Sequence, residues 1–365
     1  MEFRIERGSL VEAVARAART LPARTPVPVL GGLLLTADAG RLTISGSDFE
    51  THTRVEVEAE TAAGGQVLVL GRRLLDICRV LPDGPVSCAM EGTRFTVAAG
   101  GTGFGLSTLP REEYPAAPAP PPSYGEVDAA AFATAVGQVT VAAGRDETLP
   151  VLTGVQLRLD GEQMTLSASD RYRYAVRRLE WKPAADGEPV EVLLPARRLL
   201  DAARPAGRGG TLRIGLDASL MSFEGGRTET LLRRLEGRLP GYRTLFDMAG
   251  AAVAEVERAE LAEAVRRVAV VAEANSPLRL DFTAGDGSVR VRAGYGDDTA
   301  VQRLPARMRG AEEVGVAFNP AYLLDALNSF EGPDLRLELL GAGQRVLLSS
   351  GGAHKHLLMS VKQLV

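Results

Sequence analysis

The chain has 365 residues, 45% of them hydrophobic, and a formal net charge of −4; at about 100–200 residues per domain this predicts two or three packed domains and excludes a disordered chain. No apolar run reaches the roughly 18 residues of a membrane span, and the opening MEFRIERGSL lacks the basic start and apolar core of a secretory leader. The acidic balance argues mildly against a nucleic-acid partner unless the charge is unevenly placed.

The first predicted element is an amphipathic helix with Leu10, Val14, Ala17 and Leu21 on one stripe, and Ser9 and Glu12 spaced as a capping box. GGLLLTADAGRLTISGSD (31–48) follows as a strand pair ending in Ser47-Asp48. RRLLD at 72–76 opens a second, short helix. Cys78 and Cys88 have no histidine nearby and lack metal-ligand spacing, so they read as reduced, small apolar residues of a cytosolic protein. GGTGFG (100–105) lacks both the G-x-G-x-x-G spacing and a following helix, and reads as a turn at a strand edge. PAAPAPPPSY (115–124) is a proline-rich spacer.

The pattern then begins again. Phe132, Val136, Val139 and Ala143 repeat the helical stripe 122 residues on, and TGVQLRLDGEQMTLSASD (153–170) repeats the strand pair at the same step. It alternates Val155, Leu157 and Leu159, turns at Asp160-Gly161, and alternates Met164, Leu166 and Ala168 into Ser169-Asp170. RRLLD returns at 197–201, a step of 125. A third pass brings Leu261, Val265, Val268 and Ala272, then a looser LRLDFTAGDGSVRVRAGYGDD (278–298), then AYLLD at 321–325. LFDMAGAAVAE (245–255) joins the second and third passes. A repeat of this length is too long for a solenoid and means tandem whole domains, and strands with two helices per copy make each one α+β. The expected domains are 1–122, 123–247 and 248–365.

Catalytic constellations are absent. No P-loop lysine, H-E-x-x-H or G-x-S-x-G occurs, so neither an enzyme nor a cofactor is expected. Asp48, Asp170 and Asp297 could suggest a carboxylate cluster, but two of them recur at the repeat step in different domains and read as turn residues. His354 and His356 could in principle hold a metal; a surface strand is the expected setting, and no metal site is assigned.

Charge is distributed unevenly. The helical segments 9–24, 72–80, 128–145, 196–208, 258–273 and 319–328 carry +2, +2, 0, +3, 0 and −1, a sum of +6, which leaves −10 for the rest of the chain. Basic helices in an acidic protein suit a diffuse electrostatic sleeve for phosphate rather than a docking site that reads bases. Arginines on the wet face of any soluble helix are the plainer alternative.

Local phrases then carry a resemblance along essentially the whole chain. RTPVPVLGGLLL (24–35) resembles the first hairpin of the bacterial sliding clamps, the beta subunits of DNA polymerase III. LPVLTGVQLRL (149–159) and ASDRYRYAV (168–176) resemble their central domain, and LPGYRTL (239–245), FNPAYLLDALNS (318–329) and HLLMSVKQLV (356–365) their third. The resemblance implies three tandem DNA-clamp domains with helices inside and sheets outside, closed head to tail as a homodimer ring around double-stranded DNA of any sequence. No reaction is catalysed and no cofactor is used. Partners would be the DNA polymerase III alpha subunit, the clamp loader and other clamp-binding-motif proteins such as repair polymerases, ligase and mismatch repair proteins, in the cytoplasm and with no membrane contact.

Three surfaces carry over from the resemblance. Phosphate attraction falls to Arg24, Arg72, Arg73, Arg79, Arg197, Arg198 and Arg204. A cleft for partner peptides would use Leu152, Ser169, Arg171, Tyr172, Arg173 and Tyr174 from the central domain, and Pro240, Thr244 and Leu245 from the joint. From the third domain it would use Tyr322, Val346, Leu357, Leu358, Met359, Ser360 and Val361. At the subunit interface, Phe104 and Leu106 of the strand 103–109 would meet Val270 and Val271 beside the edge strand 297–304, more by packing than by ion pairs.

The chain departs from the family at its end. Where the clamps usually read Met-Pro-(Val/Met)-Arg-Leu, this chain reads Met359-Ser360-Val361-Lys362-Gln363-Leu364-Val365, and serine for proline is expected to free the cleft rim. Arg171 stands where many members have glycine, a feature of actinobacterial-looking versions. A second clamp in its organism follows as an alternative, with altered cleft affinity and protection against cleft-binding antibiotics. A clamp-fold scaffold that is never loaded on DNA is the other.

Overall fold

The computed structural model describes residues 1–206, 210–273, 276–295 and 297–362. Arg208, counted in the helical charge, and Gln363, Leu364 and Val365 of the divergent tail lie outside the described residues.

Each repeat contributes two helices: α1 (Arg7–Ala17) and α2 (Gly71–Val80), α3 (Ala129–Thr140) and α4 (Ala196–Ala206), α5 (Arg258–Val268) and α6 (Pro320–Asn328). The amphipathic stripes are buried as the spacing predicts: Leu10, Val14 and Ala17, then Phe132, Val136 and Val139, then Leu261, Val265 and Val268. In the LLD helices only the first leucine is fully buried. Leu74, Leu199 and Leu323 enter the core, while Leu75, Leu200 and Leu324, one position further round each helix, are half-buried.

The capping box does not form. The strand Glu2–Glu6 runs straight into α1, whose N-cap is Glu6 with no side-chain cap. The Arg7 N–H donates to the Gly84 carbonyl, and Glu12 pairs with Arg16 at 2.6 Å.

The chain divides into two compact units. The first comprises 1–133, 182–185 and 201–234, and the second 134–181, 186–200 and 235–365. Each holds a nine-stranded antiparallel sheet in which the middle repeat joins a neighbour. In the first unit, Thr228–Arg233 pairs with Thr51–Glu58. In the second, Arg173–Glu180 pairs with His354–Met359. The predicted hairpins are present as Gly32–Asp38 with Arg41–Ser47, Gly154–Asp160 with Gln163–Ser169, and Leu278–Thr283 with Ser288–Tyr295. GGTGFG is the expected turn, with Gly100 and Gly101 at left-handed φ leading into the strand Thr102–Ser107.

The histidine pair is not on a surface strand. His354–Met359 is an interior strand between Arg173–Glu180 and Arg345–Ser349, and His354 and His356 are both buried. Both rings lie on the strand's buried face, with Leu358, while Lys355 and Met359 on the opposite face are exposed; the expectation of a surface strand fails because the strand pairs on both edges and one face is covered by the core. Cys78 and Cys88 are buried and unbridged, and burial pushes both thiols up to about 12.

Candidate functional site

The candidate cleft residues belong to the second unit, and the strand pleat divides most of them between two faces. On one face, Tyr174 stands opposite Leu357, with Met359 two residues further along the same strand. The segment after Leu239 lies across this face as a strap. Tyr174 Oη donates to the Pro240 carbonyl at 2.9 Å, and Arg345 donates to the carbonyls of Thr244, Leu245 and Asp247. Tyr174, Leu357, Val176, Leu347 and Met248 form an apolar cluster, against which Tyr242, Leu245 and Phe246 pack. The three rings of Tyr174, Tyr242 and Phe246 lie 5.3–6.0 Å apart. Burial pushes the Tyr174 phenol up to about 12. Linker residues 245–255 are therefore a packed strap running into the strand Ala252–Glu257.

On the other face, Arg173 is buried at 5% exposure and bridges two carboxylates, Asp170 Oδ2 and Asp325 Oδ2, each at 2.8 Å. Its guanidinium carbon lies 4.3 Å from the centroid of the Tyr322 ring, which in turn lies 6.2 Å from the Tyr172 ring. Val346 and Leu358 also point this way and belong to the core beneath α5 and α6. The structure does not bring these two to the strap face.

The turn between the faces is built by Asp170, as the turn reading predicts. Its Oδ1 accepts from the N–H groups of Tyr172 and Arg173, and Ser169 Oγ donates to the Arg173 carbonyl at 2.8 Å. This leaves Arg171 at φ +79 and Tyr172 61% exposed. Leu152 lies in the one-turn helix Pro150–Thr153, packed on the strand Gln163–Ser169. Ser360 is buried and bonded to the turn at Gly341–Gln344, so serine fastens this rim instead of freeing it. Val361 donates its N–H to the Ala317 carbonyl and is partly exposed beside Met359. Arg345, Tyr242, Phe246, Asp325 and Gln344 are parts of this site that sequence reasoning missed. Tyr242 lies inside LPGYRTL, Asp325 inside AYLLD and Phe246 inside the 245–255 linker, but Arg345 and Gln344 lie in no phrase the sequence singled out.

Among the candidate phosphate contacts, Arg24, Arg72, Arg73, Arg79, Arg197 and Arg204 are exposed and Arg198 is half-buried. Arg72 Nη2 donates to the Pro22 carbonyl at 3.0 Å, and Arg79 lies 3.6 Å from Asp76. At the candidate interface, Thr102–Ser107 and Asp298–Pro305 are edge strands of their sheets, and Val270 is 82% exposed. Leu106 faces the first unit's core, with Phe104 packed against it, while Val271 packs on the second unit's core. The edge strand lacks charges of its own, yet the Arg94 guanidinium lies over Gly105, so close that a Cβ there would meet it at 3.0 Å.

Three α+β repeats, two helices each, joined by strand pairs across the repeat boundaries, define the architecture of a DNA clamp. Solved clamps share it: that of Bacillus subtilis superposes with TM-score 0.90 at 22% identity, covering 100% of this chain and 99% of that one. A Pseudomonas aeruginosa clamp bound to griselimycin gives TM-score 0.89 at 23% identity, with both chains fully covered. The N-terminal, central and C-terminal domain descriptions of the DNA polymerase III beta subunit match residues 1–118, 126–241 and 243–361. The beta sliding clamp of Streptomyces coelicolor is 46% identical over 99% of both chains. The beta sliding clamp homolog GriR of Streptomyces muensis is 40% identical over 100% of this chain and 98% of its own. The chain belongs to the DNA polymerase III beta subunit family and is a bacterial sliding clamp.

Proposed function

We propose that two copies close head to tail around double-stranded DNA and tether the replicative polymerase to it, without catalysing a reaction. The arginine pairs that open α2 and α4 carry this reading. They sit on helices that bury Leu74 and Leu199, in a chain whose net charge is −4. Such cations attract phosphate without reading bases and leave the ring free to slide. The exposed edges Thr102–Ser107 and Asp298–Pro305 would pair between subunits, with Phe104, Leu106, Val270 and Val271 beside the joint. The strap face and its aromatic turn would take peptides of the polymerase alpha subunit, the clamp loader, repair polymerases, ligase and mismatch repair proteins. The setting is the cytoplasm, where the chromosome is copied. The test is loading by the organism's own clamp loader onto nicked circular DNA. The protein should stay with the circle through gel filtration and leave when the circle is cut; failure to be retained would favour an unloaded scaffold.

A second reading is that this is a replacement clamp with altered affinity for cleft-binding inhibitors. Ser360, in place of the proline usual in the family, and the likeness to GriR support it. Griselimycin and a generic clamp-binding peptide should both bind with affinities different from those of an ordinary clamp; equal affinities would sink this reading.

A further inference from the structure

The turn that presents Arg171 has a counterpart 122 residues earlier, in the first unit. Asp48 Oδ1 accepts from the N–H groups of Glu50 and Thr51 at 3.2 and 2.7 Å, as Asp170 Oδ1 does from Tyr172 and Arg173. The residue after each aspartate is left-handed, φ +69 at Phe49 and +79 at Arg171. Such backbone is disfavoured for any residue with a Cβ, and glycine would relieve it. The chain instead places Phe49 there, 65% exposed and the most exposed aromatic side chain among the described residues.

The end of the sheet that carries Phe49 adjoins basic and apolar segments. The strand leading to it abuts the end of α1: a Cβ added at Gly46 would lie 2.9 Å from the Ala17 carbonyl oxygen and 3.3 Å from Thr20 Cβ. The loop carrying Arg24 begins just after Thr20, and Arg72 of α2 is tied to that loop at Pro22. Val27 and Leu70 are exposed at the same end of the sheet, where Leu70 stands opposite Gly32. Of the acidic groups on the turn, Asp48 is engaged in holding it and Glu50 is exposed. The left-handed backbone thus presents an exposed ring from a sheet end that abuts the close of α1, and the loop that follows α1 carries Arg24 and is held by Arg72.

We propose that Phe49 stacks on an unpaired base of DNA while Arg24 and Arg72 hold the adjoining phosphates. An exposed aromatic face on an element next to an arginine-bearing loop is the chemistry of single-strand recognition, since every base offers a π face. Bases within a duplex are already stacked, so the ring engages where pairing ends, at a primer–template junction. An apolar peptide would use the ring but leave the charge of Arg24 and Arg72 unmatched.

The inference rests on the sliding-clamp reading, and the test separates the two. The clamp is loaded on a primed circle carrying 2-aminopurine as the first unpaired template base, and both retention and fluorescence are read. Wild type should be retained with the probe quenched. Phe49→Ala should be retained with the quench lost, and should bind a short single-stranded oligonucleotide about tenfold more weakly. Phe49→Trp should restore the quench and Phe49→Leu should not, which separates stacking from apolar packing. If wild type is not retained, the clamp reading fails. If it is retained and the quench is the same in Phe49→Ala, stacking is overturned. If Phe49→Ala loses binding of a clamp-binding peptide while the quench persists, the surface serves a protein and the proposal is again overturned. Thermal unfolding should leave all three variants folded, because the side chain is exposed.

Discussion

Ser360 and Gln344 hold each other through both backbone and side chain. The Ser360 N–H donates to the Gln344 carbonyl at 3.0 Å, the Gln344 N–H donates to Ser360 Oγ at 3.0 Å, and the hydroxyl lies 2.8 Å from the Gln344 carbonyl, its acceptor. Proline, the family's usual residue here, has no N–H and no hydroxyl. Ser360→Pro should therefore loosen the 341–344 turn and destabilise the protein by about 2 kcal/mol, and Ser360→Ala by about 1 kcal/mol. The measurement is the urea unfolding midpoint; a midpoint for Ser360→Pro equal to wild type would refute the argument.

Arg171 is held at φ +79 by the Asp170 turn. A left-handed residue with a Cβ carries a strain of about 1–2 kcal/mol, part of which glycine returns as unfolded-chain entropy. Arg171→Gly should raise stability by about 0.5–1 kcal/mol with no change in the denaturant slope. If the strain serves partner binding, the same variant should bind acidic clamp-binding peptides less tightly. A variant that is both less stable and a better binder would contradict both halves.

Arg173 is the electrostatic centre of the buried face. Its side chain is 5% exposed, and its two carboxylate partners lie on separate elements, Asp170 in the turn and Asp325 in α6. Removing one partner of a buried pair strands the other charge, so Arg173→Met should cost about 3–4 kcal/mol. The double change Asp170→Asn with Arg173→Met should recover part of that loss, because the stranded charge on Asp170 is gone. Chemical denaturation of the four proteins completes the cycle.

The interior strand His354–Met359 makes acid sensitivity specific. Burial holds His354 down at about 4, although its Nδ1 lies 3.2 Å from the Val176 carbonyl, and the Arg177 charge adds to the effect. His356 is held well below its ordinary value by burial, then by His354 and Arg173. The unfolded chain takes up these protons below about pH 6.5, and the folded chain does so only much lower. Stability is complete above pH 6.5 and falls as pH drops from 6.5 to 4, by about 3 kcal/mol for His354 alone. Unfolding midpoints between pH 7.5 and 4.5 should show this slope. Replacing both residues, His354→Gln with His356→Leu, should flatten it.

The three-fold repeat, the hairpins and the turn roles of Asp48 and Asp170 were legible because periodicity and turn chemistry are local. The capping box failed because a strand abuts α1, a tertiary fact that no four-residue spacing carries. The histidines were misread because the partner strand Arg173–Glu180, paired from far upstream, is invisible in HKHLLM. The cleft residues were recognisable by phrase, but their division between two faces was not. Val346 and Leu358 read like cleft residues until the pleat turns them into the core. Arg345 carried no signal at all, since its role is to hold three carbonyls of a strap 98–101 residues away.

The arginines that open α2 and α4 should not contribute equally to DNA binding. Each phosphate contact that releases a counterion adds about 0.9 to the slope of log affinity against log salt. Arg73 and Arg197 are exposed, whereas Arg72 is tied to Pro22, Arg79 lies near Asp76 and Arg198 is half-buried. Arg73→Ala and Arg197→Ala should each lower the slope by about 1 and weaken binding equally for all DNA sequences. Arg79→Ala should change it less, because its charge is already partly matched. Arg72→Ala should do more than its charge predicts, because releasing Pro22 also frees the loop that carries Arg24. Titrating duplex affinity against salt for the four variants tests the order. A slope unchanged in both Arg73→Ala and Arg197→Ala would remove these helices from the DNA-facing surface.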